Sequence, residues 1–411
     1  MARQKRRDPV LVGPVSVTQV GGAHRITAEV DGARVWIESP DCELRAAPEV
    51  FSSAYLLPAL HQGTHLTPVE PLDPVWLANV ERLMWVWRDW WGYRVAVPRA
   101  PGAPEPPPSR SPVRGADALV PPPAGAAQAG SATGSPGGAP RANVALFFSV
   151  GVDSFYSLLR CHESPGRLVT VHGFDVVLSD GARMAGVEAS LRAVCEACGL
   201  RPILVRTNLR EHPLMQAAPW GRTHGGALAA VAHALGEGVD EVLISSSVSL
   251  SRKHKWGSHW TTDPLFGSSR LSLRELGMEL KRLDKLRTLV DEPLVRRHLR
   301  VCWENRSPAG NCSRCGKCLM TRLVLHDCGA LEDFPVFEGT ATLARDLDAY
   351  PVNWGFLTQL EAVSKSSRLD PEVLRATQDL LRRSRYAQRR DVMWRRAILK
   401  KLLQWTGHRP S

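Results

Sequence analysis

Four cysteines, Cys302, Cys312, Cys315 and Cys318, carry the sharpest chemical signal in the chain, in the spacing Cys-x9-Cys-x2-Cys-x2-Cys. Thiolates two residues apart across a tight turn converge on one metal at about 2.3 Å, and a distant fourth closes the tetrahedron. Gly310, Asn311 and Gly316 permit the turn, and Leu319 to Leu325 reads as an apolar helix that anchors it. Four thiolates describe a closed structural Zn²⁺ site. An iron–sulfur cluster is the rival, although the Cys-Pro that ends the ferredoxin run is missing and the fourth cysteine lies upstream. A second constellation is Phe148-Ser149-Val150-Gly151-Val152-Asp153-Ser154, between an apolar run and a helix start. Hydroxyls and free backbone amides at a helix N-terminus make a cradle for phosphate oxygens, and Asp153 is suited to hold Mg²⁺. The spacing is neither that of a Walker A loop nor that of a dinucleotide fingerprint.

Elements that must position these residues follow from pattern. Asn143 to Phe148, Leu168 to Phe174, Pro202 to Arg206 and Asp240 to Ser245 are short apolar runs that read as strands. Helical stretches alternate with them over Asp153 to Arg160, Arg183 to Cys198 and Gly225 to Leu235. That alternation predicts an α/β fold with a parallel, doubly wound sheet. In such sheets ligands bind beyond the carboxyl ends of the strands, where the Ser149–Ser154 loop falls. The polar and aromatic stretch from Gly257 to Arg270 follows the fourth strand, so His259, Trp260, Asp263, Ser268 and Ser269 are the candidate substrate-facing residues, the alternative being a plain structural loop. His224, ahead of two glycines, either approaches a nucleotide or is a satisfied capping histidine. Cys195 and Cys198, at the end of an amphipathic helix, read as buried core thiols.

Flanking regions divide the chain. Residues 98–142 hold 12 prolines and 7 glycines in 45 positions, which predicts a disordered linker. Residues 1–97 read as a separate β-rich module, with a hairpin turning at Asp31-Gly32 and then a helix from Asp73 to about Trp91. Trp76, Val80, Leu83 and Trp87 form one stripe of that helix, and five tryptophans fall within 16 residues. The stripe is either a core face or a stacking platform. The proposed domains are therefore 1–97, 98–142, 143–329 and a helical, basic 330–411.

The formal charge of +11 is concentrated at the ends, with +4 in residues 1–7 and +8 in residues 382–401. A body this close to neutral is not built to coat nucleic acid. In the basic tail Trp394, Ile398, Leu402 and Trp405 share one helical stripe flanked by Arg395, Arg396, Lys400 and Lys401. That helix fits a membrane interface, a nucleic-acid or protein partner, or docking on its own domain. The longest apolar run, Val144 to Val152, is nine residues and contains Ser149, which excludes a transmembrane helix. Nine cysteines, an odd number and clustered, point to a reduced, cytoplasmic location.

The Ser149-to-Ser154 loop resembles the Ser-Gly-Gly-x-Asp-Ser signature of the PP-loop ATP pyrophosphatases. Together with the cysteine spacing, residues ~142–329 resemble the 7-cyano-7-deazaguanine synthase family. The resemblance implies ATP-dependent adenylation of a small-molecule carboxylate with release of PPi, then amidation by ammonia and nitrile formation, with ATP and Mg²⁺ as cofactors and Zn²⁺ as structural metal. It implies that Ser149, Gly151, Val152, Asp153 and Ser154 hold phosphates and Mg²⁺, with Asp153, Ser154 and Lys285 catalytic. Gly173 and Phe174 would border the adenine. Val150 stands where the signature has its first glycine, so either its torsions are ordinary or the cradle is weakened. The additional regions make a macromolecular acceptor plausible. A tRNA-modifying PP-loop enzyme of the thiolation type, and a non-catalytic nucleotide-binding subunit, are the alternative readings.

Overall fold

The computed structural model describes residues 8–101, 140–236, 238–251, 254–307, 310–352 and 354–405, with the side chains of 354 and 392–405 outside the description. The linker expectation at 98–142, the basic residues 1–7 and the aromatic stripe of the tail thus lie largely or wholly outside the described residues. Two compact units divide between Arg282 and Leu283.

The first unit is a ten-stranded mixed sheet of β1 (Val10–Val12), β2 (Ser16–Val20), β3 (Ala23–Val30), β4 (Ala33–Ser39), β5 (Leu66–Pro68), β6 (Arg141–Phe147), β7 (Pro165–His172), β8 (Arg201–Thr207), β9 (Glu241–Ser245) and β10 (Ser272–Leu276). Its order is β10-β9-β6-β7-β8-β4-β3-β1-β5, with β2 paired to β3. From β10 to β8 every pairing is parallel. Chain order reverses direction between β6 and β9, because β7 follows β6 on one side and β9 returns on the other. The carboxyl ends of β6 and β9 therefore open a crevice at this switch point.

Residues 1–97 do not form a separate module. β4 pairs antiparallel with β8 through Ile37↔Thr207 and Glu38↔Arg206, so the N-terminal strands continue the sheet. An uncovered β8 would leave a row of unpaired backbone groups at the edge of the parallel block, and β4 closes it. Glu38 is buried between the guanidiniums of Arg25 on β3 and Arg206 on β8. Asn208 accepts from the Trp36 amide at 2.9 Å, and Thr207 donates to the Trp36 carbonyl at 2.7 Å. The β3–β4 hairpin turns at Asp31 and Gly32, both at positive φ (49° and 78°), the geometry of a two-residue primed turn.

Helix α1 (Glu49–His61) is buried along nearly its whole length against α6 (Trp220–Ala234). A Cβ on Gly226 would stand 2.5 Å from the Ser53 carbonyl, which is why this helix pair needs glycine. Helix α2 (Pro74–Trp91) begins at Asp73, whose carboxylate accepts the Val75 and Trp76 amides, and ends at Gly92 with φ 76°. Its Trp76, Val80, Leu83 and Trp87 are fully buried, so the stripe is core. Helices α3 (Val152–Arg160) and α4 (Gly181–Cys198) follow β6 and β7, and α5 (Pro213–Ala217) precedes α6.

The second unit holds α8 (Pro293–His298), α9 (Gly316–Asp327), α10 (Leu343–Ala349), α11 (Leu357–Val363) and α12 (Pro371–Trp405), and α7 (Arg282–Arg287) begins at its boundary. The expected division at 329/330 is overturned: the cysteine knuckle belongs with the helices that follow it. Helix α12 packs on α10 and α11 through Val373, Ala376, Thr377, Leu380 and Leu381, and Arg383 donates to the carbonyl of Tyr350 at 3.0 Å. Among the described residues no helix is long and apolar enough to cross a membrane.

Candidate functional site

At the β6–α3 turn Phe148 is pinned to the sheet, its amide donating to Val169 and its carbonyl accepting from the Thr170 hydroxyl. Ser149 is exposed, whereas Val150 is 1% exposed. Val150 has φ 52°, the left-handed region that a β-branched residue rarely occupies, so its torsions are not ordinary. That twist aims two amides at one point. The N–H groups of Ser149 and Gly151 both donate to Ser154 Oγ, at 3.3 and 3.1 Å, and Ser154 Oγ donates back to the Gly151 carbonyl. Two backbone donors thus converge on a single oxygen in the first turn of α3, where the helix dipole favours negative charge. Val152 is buried and contributes backbone alone to this turn.

The Asp153 carboxylate, next in the helix, is buried and forms an ion pair with Arg282. One turn on, the Tyr156 hydroxyl donates to Glu279 at 2.7 Å. The segment leaving the carboxyl end of β10 is thereby tied along α3.

Beside the loop the ends of β7 and β8 carry aromatic and cationic groups. Gly173 has φ 108°, and a Cβ there would meet the Thr207 carbonyl at 2.0 Å, so no other residue fits. The Phe174 ring meets Trp220, at the start of α6, edge-on at 5.3 Å. Arg210 lies 4.4 Å over the other partner of that pair, the Trp220 ring, and donates to the Phe174 carbonyl. His224 stands between Trp220 and Trp256, with centroids at 6.0 and 5.4 Å. Burial holds its pKa below the usual imidazole value, and its Nδ1 is bonded to the Trp220 carbonyl at 3.0 Å. Its ring is a satisfied, neutral group, the blander of the two readings.

The five candidate substrate residues do not form one surface. Ser268 and Ser269 immediately precede β10 and so sit at the amino end of the sheet, opposite the β6–α3 loop. There Ser269 is bound to the Asp73 carboxylate by both its amide and its hydroxyl, locking the turn to the start of α2. They are corrected to structural residues. Asp263 is 1% exposed, and its oxygens accept from Ser258 Oγ (2.6 Å) and the His259 amide (3.1 Å), so it shapes the loop. His259 is buried, packed against Trp260 with tilted rings 3.7 Å apart and edge-on to Trp90 at 4.9 Å. Burial pushes Asp263 up to about 6 and raises Glu275, which the Ser258 hydroxyl also contacts, well above the carboxylate range.

Lys285 is buried in α7 and belongs to the second unit. Arg210, Trp220, Trp256 and Arg282 were missed by sequence reasoning. Their signal was topological: Arg210 follows the carboxyl end of β8, Trp220 and Arg282 stand at helix starts, and Trp256 lies in the loop that leaves β9.

The four cysteines of the second unit come together, their sulfurs all within 4.8 Å of one another. Cys315 Sγ lies 3.9 Å from Cys302 Sγ and 3.4 Å from Cys318 Sγ. Bonds of about 2.3 Å to a tetrahedral ion require sulfurs about 3.8 Å apart, which matches. These cysteines can hold a metal ion such as zinc, and an all-sulfur set excludes a hard cation such as Mg²⁺. Ser313 turns the chain at φ 58°, Cys315 caps α9 and Cys318 lies in its first turn. A hydrogen bond from Cys318 holds the Cys315 thiol down at about 5. Cys195 shows the opposite: burial pushes it up to about 12, as expected of a core thiol.

Comparison with family models, with curated proteins and with solved structures found no match to this chain.

Proposed function

We propose that the chain is an ATP-dependent adenylating enzyme of the PP-loop kind, splitting ATP into AMP and PPi to activate a carboxylate. One observation carries this reading: the Ser149 and Gly151 amides converge on one oxygen at the start of α3, beside the β6/β9 switch point. A phosphate oxygen replacing Ser154 Oγ as acceptor would receive the same two donors and the helix dipole. The strain at Val150 supports the reading, because a left-handed residue here keeps both amides pointed inward. Phe174 and Trp220 supply an apolar wall for the base, with Arg210 behind it.

Attack of a carboxylate on the α-phosphorus requires neutralised phosphate charge and a stabilised PPi leaving group, with no protein nucleophile. Loop amides would hold the phosphate oxygens, and Arg282 would move from Asp153 to the leaving phosphates. Asp153, so released, is the residue that would hold Mg²⁺, which supplies charge neutralisation between phosphates. The cysteine centre would brace the second unit as a structural Zn²⁺ site. From the family resemblance, the substrate would be a 7-deazaguanine carboxylate with ammonia as acceptor, or a carboxylate on a larger molecule, making the chain a C–N ligase.

Asp153→Asn should abolish AMP and PPi formation while leaving the circular dichroism spectrum intact; unchanged PPi release would remove the proposal. The ion pair already made by Asp153 also favours a second reading, a subunit that binds nucleotide without turnover, which predicts ATP binding with no AMP from any carboxylate. The thiolation reading calls for an iron–sulfur cluster or a nucleophilic cysteine. Burial raises the thiols of Cys42, Cys195, Cys198 and Cys328, which counts against a nucleophile at those four positions, and a colourless protein with stoichiometric zinc would count against the cluster.

A further inference from the structure

Three of the four sulfur ligands arrive on one short turn, but Cys302 must be brought from ten residues upstream. Asn311, immediately before Cys312, does this with every hydrogen-bonding position of its side chain. Its Oδ1 accepts from the Val301 amide at 2.8 Å and from the Cys302 amide at 3.2 Å. Its Nδ2 donates to the Leu299 carbonyl at 2.8 Å and to the Val336 carbonyl at 3.3 Å. Reversing the amide would set donors against donors, so the orientation is dictated by the four partners. One side chain therefore fixes the segment that carries Cys302 against the turn that carries Cys312, and docks both on the segment after α9.

We propose that Asn311 is the positioning residue that preassembles the four-sulfur site, so that metal affinity depends on its side-chain amide although it donates no ligand atom. Groups that orient metal ligands typically govern about 10–100-fold in affinity. Without the amide, the chain between Cys302 and Cys312 must be closed by the metal itself, and Cys302 becomes the ligand most readily lost. This inference is independent of the nucleotide reading, since it concerns metal binding alone.

The test uses the full chain, stripped of metal and titrated with Zn²⁺ against a chromophoric chelator, and separately with Co²⁺ for its thiolate charge-transfer absorption. Asn311→Ala should bind Zn²⁺ about 10–100-fold more weakly. Its Co²⁺ absorption should fall as one thiolate drops out. Asn305→Gly is the control: Asn305 lies in the same loop at φ 53° and accepts from Arg300. It should stay within about twofold of the parent, because it removes a bond to the Arg300 side chain and leaves the backbone bonds that hold Val301 and Cys302 in place. If the alanine variant does not fold, Asn311→Asp, which keeps the acceptor bonds and loses the donors, should show a smaller but measurable loss. Parental affinity and absorption in whichever variant is measured would overturn the proposal.

Discussion

Val150 offers a quantitative test of the strained loop, by comparing Val150→Gly with Val152→Gly two residues away. Both valines are 1% exposed, so both substitutions remove three buried carbons. At about 0.8 kcal/mol per buried carbon that loss is about 2.4 kcal/mol. Glycine's freedom in the unfolded chain adds about 0.5–1 kcal/mol, so Val152→Gly should cost about 3 kcal/mol. At position 150 glycine also relieves the left-handed conformation, which returns about 1–2 kcal/mol. Val150→Gly should therefore cost only about 1–2 kcal/mol. Urea unfolding followed by tryptophan fluorescence reads the difference as a shift in midpoint at equal slope. Equal destabilisation of the two variants, or a larger loss at 150, would refute the claim that the backbone there is strained.

Other consequences are as direct. Both Asp263 and Glu275 are raised, so the folded state holds protons that the unfolded chain releases, and their stabilisation is lost as pH climbs from the ordinary carboxylate range through about 6 and beyond. Glu275→Gln should thus melt about 3 °C or more above the parent at pH 8 and approach it at pH 5; a pH-independent difference would contradict the paired burial. Arg322 is fully buried and bonded to Asp346, to the carbonyls of Ser313 and Gly339 and to Thr342 Oγ1. Arg322→Met should cost about 3–5 kcal/mol in urea unfolding, because the buried Asp346 keeps only its longer pairs with the exposed Arg314 and Arg345, and Arg322→Met/Asp346→Leu should cost less; a double variant no better than the single would count against an under-paired buried charge. Chelating Zn²⁺ from the zinc-loaded chain should remove hydrogen-exchange protection from α9 while β6 and β9 stay protected, and unchanged exchange in α9 would count against a structural zinc site at the four cysteines.

What could be read from the chain was whatever leaves a local periodicity or a fixed spacing. Helix α2 announced itself by Asp73, Pro74 and the stripe to Trp87, the hairpin by Asp31-Gly32, and the parallel strands by short apolar runs. The four cysteines came together because two of their intervals are helical-turn distances and Asn311 closes the third. Helix α1 was missed because it is buried on every side, Glu49, Ser52 and Ser53 included, so no polar solvent face marks a 3.6-residue period. Joining β4 to β8 is a pairing between residues 170 positions apart in the chain, sealed by Glu38 between two arginines, and no local pattern encodes it. Ser268 and Ser269 looked substrate-facing by proximity to the fourth strand, but the connection crosses the whole sheet before β10 begins. Composition marked residues 1–97 as distinct, yet the unit boundary falls at Arg282, where no composition changes.

The central claim is that the turn after β6 receives a triphosphate. Crystals grown with Mg²⁺ and an ATP analogue carrying a methylene group between the α and β phosphorus atoms test it most directly. The account predicts phosphate oxygens on the Ser149 and Gly151 amides, Ser154 Oγ released from them, and Arg282 turned away from Asp153. A nucleotide bound elsewhere, or none bound with this turn unchanged, would contradict it.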